Sequence, residues 1–151
     1  MKYNKSFSGE SFENYKQYLE TIKDKLPQAL YNFVSNSKRH NLEKESLHDS
    51  WINEIKIGVI RDKENRNKTK SVFIKIEFLG SYHDRIFELN FNDVCSYKIG
   101  VTAMQTCDLI TYEIYHEDLT GKDIIVFYAE FADKSSIVIK AQNIEIIEKV
   151  L

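Results

Sequence analysis

Proline occurs once, at Pro27, and glycine only five times in 151 residues, so the chain has no Gly/Ser/Pro-rich linker to join two domains. It also lacks low-complexity tracts and 20–50-residue repeats, which leaves a single domain over residues 1–151 and excludes solenoids and propellers. Cysteine is nearly absent. Cys95 and Cys107 stand twelve positions apart, which fits neither a C-x-x-C redox pair nor a zinc knuckle, and their apolar surroundings predict free, partly buried thiols. A chain of this length buries roughly 68–70% of its unfolded surface and needs no disulfide staples. No run of about 18 apolar residues occurs, and no apolar stretch follows Met1-Lys2-Tyr3-Asn4-Lys5. These absences predict a cytoplasmic protein with neither a membrane span nor a secretion signal. A Gly-rich phosphate loop, a G-x-S-x-G elbow and an H-E-x-x-H pair are missing as well, so no cofactor is implied.

What is present changes period near position 50. Phe12, Tyr15, Tyr18, Leu19, Ile22 and Leu26 recur at three- and four-residue intervals behind Ser11, predicting a capped amphipathic helix that breaks at Leu26-Pro27. A second helix is predicted to about Asn36, with Ala29, Leu30, Phe33 and Val34 buried and a further turn possible over 42–46. The helical region thus spans about 11–46. From Trp51 the pattern alternates, and an antiparallel sheet is predicted over about 51–150. Its first strand carries Ile55, Ile57 and Val59 inward, and Arg61 to Lys70 is a charged hairpin tip. Strands follow over 71–79, 85–91, 94–101, 109–116 and 123–131. The last of these is apolar on both faces, as for a strand covered on both sides. A final strand over 136–141 leads into 144–147, which extends the sheet as an edge or starts a short helix. The fold class is α+β, with N-terminal helices packed on an antiparallel meander of six or seven strands.

Charge divides unevenly. Residues 1–75 carry 15 Lys/Arg against 10 Asp/Glu, and residues 76–151 carry 6 against 13, so a net charge of −2 conceals a basic first half and an acidic second half. An acidic sheet repels nucleic acid and speeds encounter with basic partners. The basic loop interleaves acids and holds no aromatic on which a base could stack, so it predicts a solvated tip rather than a nucleic-acid site. Tyrosine beside acid is the chemistry of a protein-binding surface, and Tyr112, Glu113, Tyr115, Glu117, Asp118, Asp123, Tyr128 and Glu130 form the candidate partner-binding set.

His-Asp occurs at His48-Asp49 and at His83-Asp84. In a simple meander the first and third strands begin at one end of the sheet, so His48, Asp49, His83 and Asp84 form the candidate metal or acid–base set, that of a metal-binding protein or metal-dependent hydrolase. His116-Glu117-Asp118 falls at the opposite end. The alternative is that each pair punctuates a strand entrance, with Asp accepting backbone N–H groups.

Leu47-His48-Asp49-Ser50-Trp51-Ile52, followed by paired strands and a strand ending in Phe91-Asn92-Asp93-Val94, resembles small bacterial β-rich domains that open a sheet with an His-Asp-Ala or His-Asp-Ser motif. These include proteins of unknown function and immunity proteins of polymorphic toxin systems. The resemblance covers roughly residues 42–150. It makes His48, Asp49 and Trp51 motif residues of unassigned role, and it implies binding and neutralising of a partner toxin rather than catalysis. The leading expectation is therefore a non-catalytic, immunity-type binding module, monomeric or homodimeric, directed at a protein partner such as a basic toxin domain. A third possibility is a homo-oligomeric assembly protein whose dimer buries the last strand.

Overall fold

A computed structural model of the chain describes residues 9–101 and 107–151. The order of elements is helix α1 (Gly9–Thr21), a 3₁₀ turn (Lys23–Lys25), helix α2 (Gln28–Val34), a second 3₁₀ turn (Ser37–Arg39), then strands β1 (Trp51–Arg61), β2 (Thr69–Leu79), β3 (Arg85–Ile99), β4 (Leu109–Leu119), β5 (Lys122–Phe131) and β6 (Ser136–Val150). The α+β class and the all-antiparallel sheet follow the sequence pattern. Ser11 lies inside α1 instead of capping it. Pro27 is the residue before α2, with extended ψ of 139°, and its carbonyl accepts the amide of Tyr31 at 2.9 Å. A missing N–H costs nothing at that position. Tyr31 rather than Ala29 joins Leu30, Phe33 and Val34 on the buried side, and residues 42–46 form no helix.

The sheet order is β1-β2-β3-β6-β5-β4. It consists of two three-stranded meanders joined where β3 pairs β6 from Arg85↔Val150 to Ile99↔Ile137. Two predicted strands merge in β3, which bends at Asp93 (φ 52°) and bulges between Val94 and Ser96. β6 likewise runs unbroken through 142–147. The final strand is thus internal to the sheet order rather than an edge: β3 pairs it from Ile137 to Val150, and β5 pairs it from Ser136 to Ala141. The β4–β5 connection, Thr120-Gly121, has φ of 52° and 81°, the left-handed pair that two-residue hairpins require.

One face of the sheet carries the core. Phe78, Phe87, Phe91, Phe127, Ile139 and Ile144 are essentially sealed from solvent there, against Tyr15, Leu19, Leu30 and Phe33 of the helices. The edge of the inner row departs from expectation. Ile57 and Val59 remain 44% and 45% exposed, because β2 residues before Ile74 pair only with β1 and the β1–β2 hairpin extends beyond the rest of the sheet.

The opposite edge, β4, is closed by side chains. The Tyr15 hydroxyl accepts the Ile114 amide at 2.6 Å and donates to the Ile114 carbonyl at 2.9 Å, and the Tyr18 hydroxyl accepts the His116 amide at 2.9 Å. At the start of β4 the chain leading into β1 completes the closure. Asp49 donates its amide to the Leu109 carbonyl (2.8 Å), and Leu109 donates to the Ser50 carbonyl (3.0 Å). The segment entering β1 thus meets the start of β4 at one corner of the sheet.

Candidate functional site

The His-Asp motif lies at that corner. Asp49 adopts φ of 61°, which turns its amide toward Leu109 and lets Trp51 begin β1. His48 is 8% exposed, with Nδ1 3.1 Å from the Asp49 carboxylate, and the His48 amide donates to Ser46 Oγ at 2.9 Å. The Trp51 indole donates to Asp108 at 2.6 Å, and its ring lies 4.9 Å from that of His83. Asp108 is a site residue that sequence reasoning missed. It stands 57 positions from Trp51 and has no motif around it, so nothing in the local pattern marks it.

The second pair shapes a turn. Gly80 donates to the Arg85 carbonyl (2.9 Å), His83 donates to the Gly80 carbonyl (2.8 Å), and His83 takes φ of 56°. Both carboxylate oxygens of Asp84 accept from Arg85, from Nε and Nη2, each at 3.0 Å, and that guanidinium holds the Asp84 carboxyl below its ordinary range. Both His-Asp pairs do begin strands at one end of the sheet. Nevertheless, no group of three or more His, Cys, Asp or Glu among the described residues is placed to hold a metal ion, His48, Asp49, His83 and Asp84 included. Asp84 is committed to Arg85, and the His83 ring stands against Trp51. The first pair sits where the chain entering β1 meets the start of β4, and the second shapes the β2–β3 turn.

Burial depresses the His48 pKa below the ordinary 6.5, an effect that the Asp49 and Asp108 carboxylates oppose in part. The folded chain therefore binds this proton less readily than the unfolded chain. The His48 contribution is complete above pH 6.5 and is lost as pH falls toward the depressed value. Urea titrations between pH 7.5 and 5 are expected to show a falling midpoint that His48→Gln flattens. An equal slope in both proteins would count against this assignment.

The candidate partner-binding set divides between the two faces of the sheet. Tyr112, Asp118 and Asp123 point to the helix side. Tyr112 is 2% exposed, stacks on His40 with centroids 4.5 Å apart, and donates to the Arg39 carbonyl at 2.9 Å. Asp118 accepts the Gly121 amide of the β4–β5 turn at 3.0 Å. The Asp123 carboxylate lies 2.7 Å from His116 Nε2 and 3.5 Å from Lys25, and the His116 bond is the main cause of its lowered pKa. Glu113, Tyr115, Glu117, Tyr128 and Glu130 share the other face, as the register pairs Glu113↔Tyr128 and Thr111↔Glu130 require. Of these five, Glu113 is fully buried, Tyr115, Tyr128 and Glu130 are partly exposed, and Glu117 is exposed, with Lys140 2.9 Å from it. The strand period was legible, but a one-residue offset sends neighbours to opposite faces and separates residues that adjoin in sequence.

A cleft of about 440 Å³ between α2 and β6 is lined by Phe33, Asn36, Arg39, Ile146 and Glu148, and Arg39 and Glu148 pair across it at 2.9 Å. A larger hollow of about 580 Å³ at the β1–β2 tip lies among Arg61, Lys63, Lys68 and Lys70. Of the two free thiols, Cys107 is buried, with its pKa raised mainly by that burial, and Cys95 is exposed. No helix among the described residues is long and apolar enough to cross a membrane. Scans against protein-family models, curated proteins and solved structures each return no match.

Proposed function

We propose that this chain is a non-catalytic protein-binding module that engages a basic partner through the face of β4 and β5 turned away from the core. The observation that carries the reading is the placement of Tyr115, Glu117, Tyr128 and Glu130 on that one face with side chains reaching solvent. Rigid aromatic rings with polar tips supply contact area at low entropic cost, and flanking carboxylates steer and select a cationic surface. The commitment of the His-Asp residues to turns, an indole and a guanidinium supports a binding role over a hydrolytic one. The resemblance of Leu47–Ile52 to the His-Asp-Ser domains supplies the finer reading, an immunity-type protein that blocks a partner toxin.

Affinity capture with the purified chain from lysate and secreted fractions tests this. A basic protein is expected to be retained in stoichiometric amount with its activity blocked. Glu117→Lys combined with Glu130→Lys is expected to weaken retention more than about tenfold, since juxtaposed like charges cost several kcal/mol. Elution of the chain without a partner, or equal retention by the variant, would overturn the reading.

A further inference from the structure

We infer that the free edge of β1 is a docking surface for a second copy of this chain, which pairs with it as an antiparallel strand around a twofold axis at Ile57. The two outer strands are treated differently. On β4, tyrosine hydroxyls and the Asp49–Ser50 backbone occupy the outward-facing groups of Ile114, His116 and Leu109. On β1, no strand among the described residues lies beyond the edge. Along that edge Ile57, Val59 and Ile60 are 44–47% exposed, interleaved with exposed Glu54, Lys56 and Arg61. Proline is absent from the strand. Natural edges of this kind are covered, broken or paired, because an unpaired row of N–H and C=O groups templates another strand.

The register follows from the strand itself. Irregularities between Ile52 and Glu54 and between Ile60 and Arg61 bound a regular stretch, 54–60, whose midpoint is Ile57. A perpendicular twofold there keeps like faces together. It sets Ile57 opposite the partner's Ile57 and Ile55 opposite the partner's Val59, extending the apolar row of Ile74 and Ile76. On the other face Lys56 meets the partner's Gly58, so no like charges oppose. An axis at Lys56 would instead set two lysines against each other. The antiparallel arrangement also carries the basic hairpin tips to opposite ends of the dimer, where Arg61 follows the residue opposite the partner's Glu54. This surface is separate from the face of Tyr115 and Glu130, and either proposal can fail without the other.

Light scattering across a concentration series is expected to show a mass rising from 17.8 kDa toward twice that value. Ile57→Lys places two lysines directly opposite and is expected to raise the dimer dissociation constant about tenfold or more. Far-ultraviolet circular dichroism of the variant is expected to match the parent, because the side chain is nearly half exposed. Ile57→Cys in a Cys95→Ser background, treated with oxidised glutathione, is expected to give a disulfide-linked dimer. Opposed residues there have Cα atoms about 4.5–5.5 Å apart, within disulfide reach. Ile110→Cys on β4 is expected to remain uncrosslinked. A mass fixed at 17.8 kDa up to concentrations on the order of 1 mM would overturn the proposal. So would a dimer indifferent to Ile57→Lys, or failure of Ile57→Cys to crosslink.

Discussion

Tyr15→Phe is expected to destabilise the chain by about 2–4 kcal/mol, although it removes a single oxygen atom. That hydroxyl is the partner of both backbone groups of Ile114, accepting from the amide at 2.6 Å and donating to the carbonyl at 2.9 Å inside the core. Each buried group left without a partner costs about 1–3 kcal/mol, and phenylalanine offers neither a donor nor an acceptor. For a domain of this size the melting temperature is expected to fall by roughly 5–15 °C. Burial raises the Tyr15 pKa well above its ordinary value, so the hydroxyl stays protonated and able to donate throughout the physiological range. Tyr18→Phe releases only the partly buried amide of His116 and is expected to cost less. Thermal unfolding of the two variants checks the order. A Tyr15→Phe protein within about 1 kcal/mol of the parent would show that the edge of β4 is satisfied by other means. Because that edge would be newly unpaired, the variant is also expected to aggregate more readily on heating.

Glu148→Ala is expected to cost about 2–3 kcal/mol, through charges that it strands rather than surface that it exposes. Glu148 stands between two guanidinium groups. One carboxylate oxygen accepts from Arg85 and the other lies 2.9 Å from Arg39 Nη1. Arg85 also holds Asp84, and Arg39 lies over the Phe33 ring at 4.5 Å and donates to the Glu45 carbonyl at 3.0 Å. Charges therefore alternate from Asp84 through Arg85 and Glu148 to Arg39, tying the loop after α2 to the first residue of β3 and the end of β6. Breaking a buried pair costs about 3–5 kcal/mol, and the lower figure applies here because the Glu148 side chain is a quarter exposed. Urea unfolding is expected to show a lower midpoint at unchanged slope. If Glu148→Ala and Arg85→Met each cost under about 1 kcal/mol, the network carries no weight in the fold. Non-additive costs in the double variant would measure the coupling directly.

Neither of these features has a local signature. Tyr15 and Tyr18 sit in the apolar stripe of α1, and their spacing identifies the buried side of a helix but not that two hydroxyls cap a strand some 98–99 positions away. Arg39, Arg85 and Glu148 lie far apart in sequence, and only the packing of α2 over the β3–β6 seam brings them together. The His-Asp repeats show the converse. The pattern was visible and its position at strand starts was correct, yet the two copies act differently. In the first, Asp49 takes the left-handed conformation, and in the second His83 does. The chemistry of each is set by its neighbours, Asp108 and Trp51 in one case and Arg85 in the other.

Periodicity alone determined the class of fold: a 3.6-residue repeat to Pro27 and beyond, then alternation from Trp51 to the end, can bury its apolar residues only as helices against an antiparallel sheet. It also located β5 through its apolar character on both faces, and the β4–β5 turn through Thr120-Gly121. Strand order was decided by tertiary structure, because the alternation of one strand is compatible with any neighbour that buries the same face. Pairing β3 with β6 made the last strand internal and merged two predicted strands into one. It also left β1 as the open edge, and the fold brought Ser50 against Leu109. Those contacts join residues roughly 40–65 positions apart, and their free energy comes from shape and hydrogen bonding that exist only once the sheet has formed.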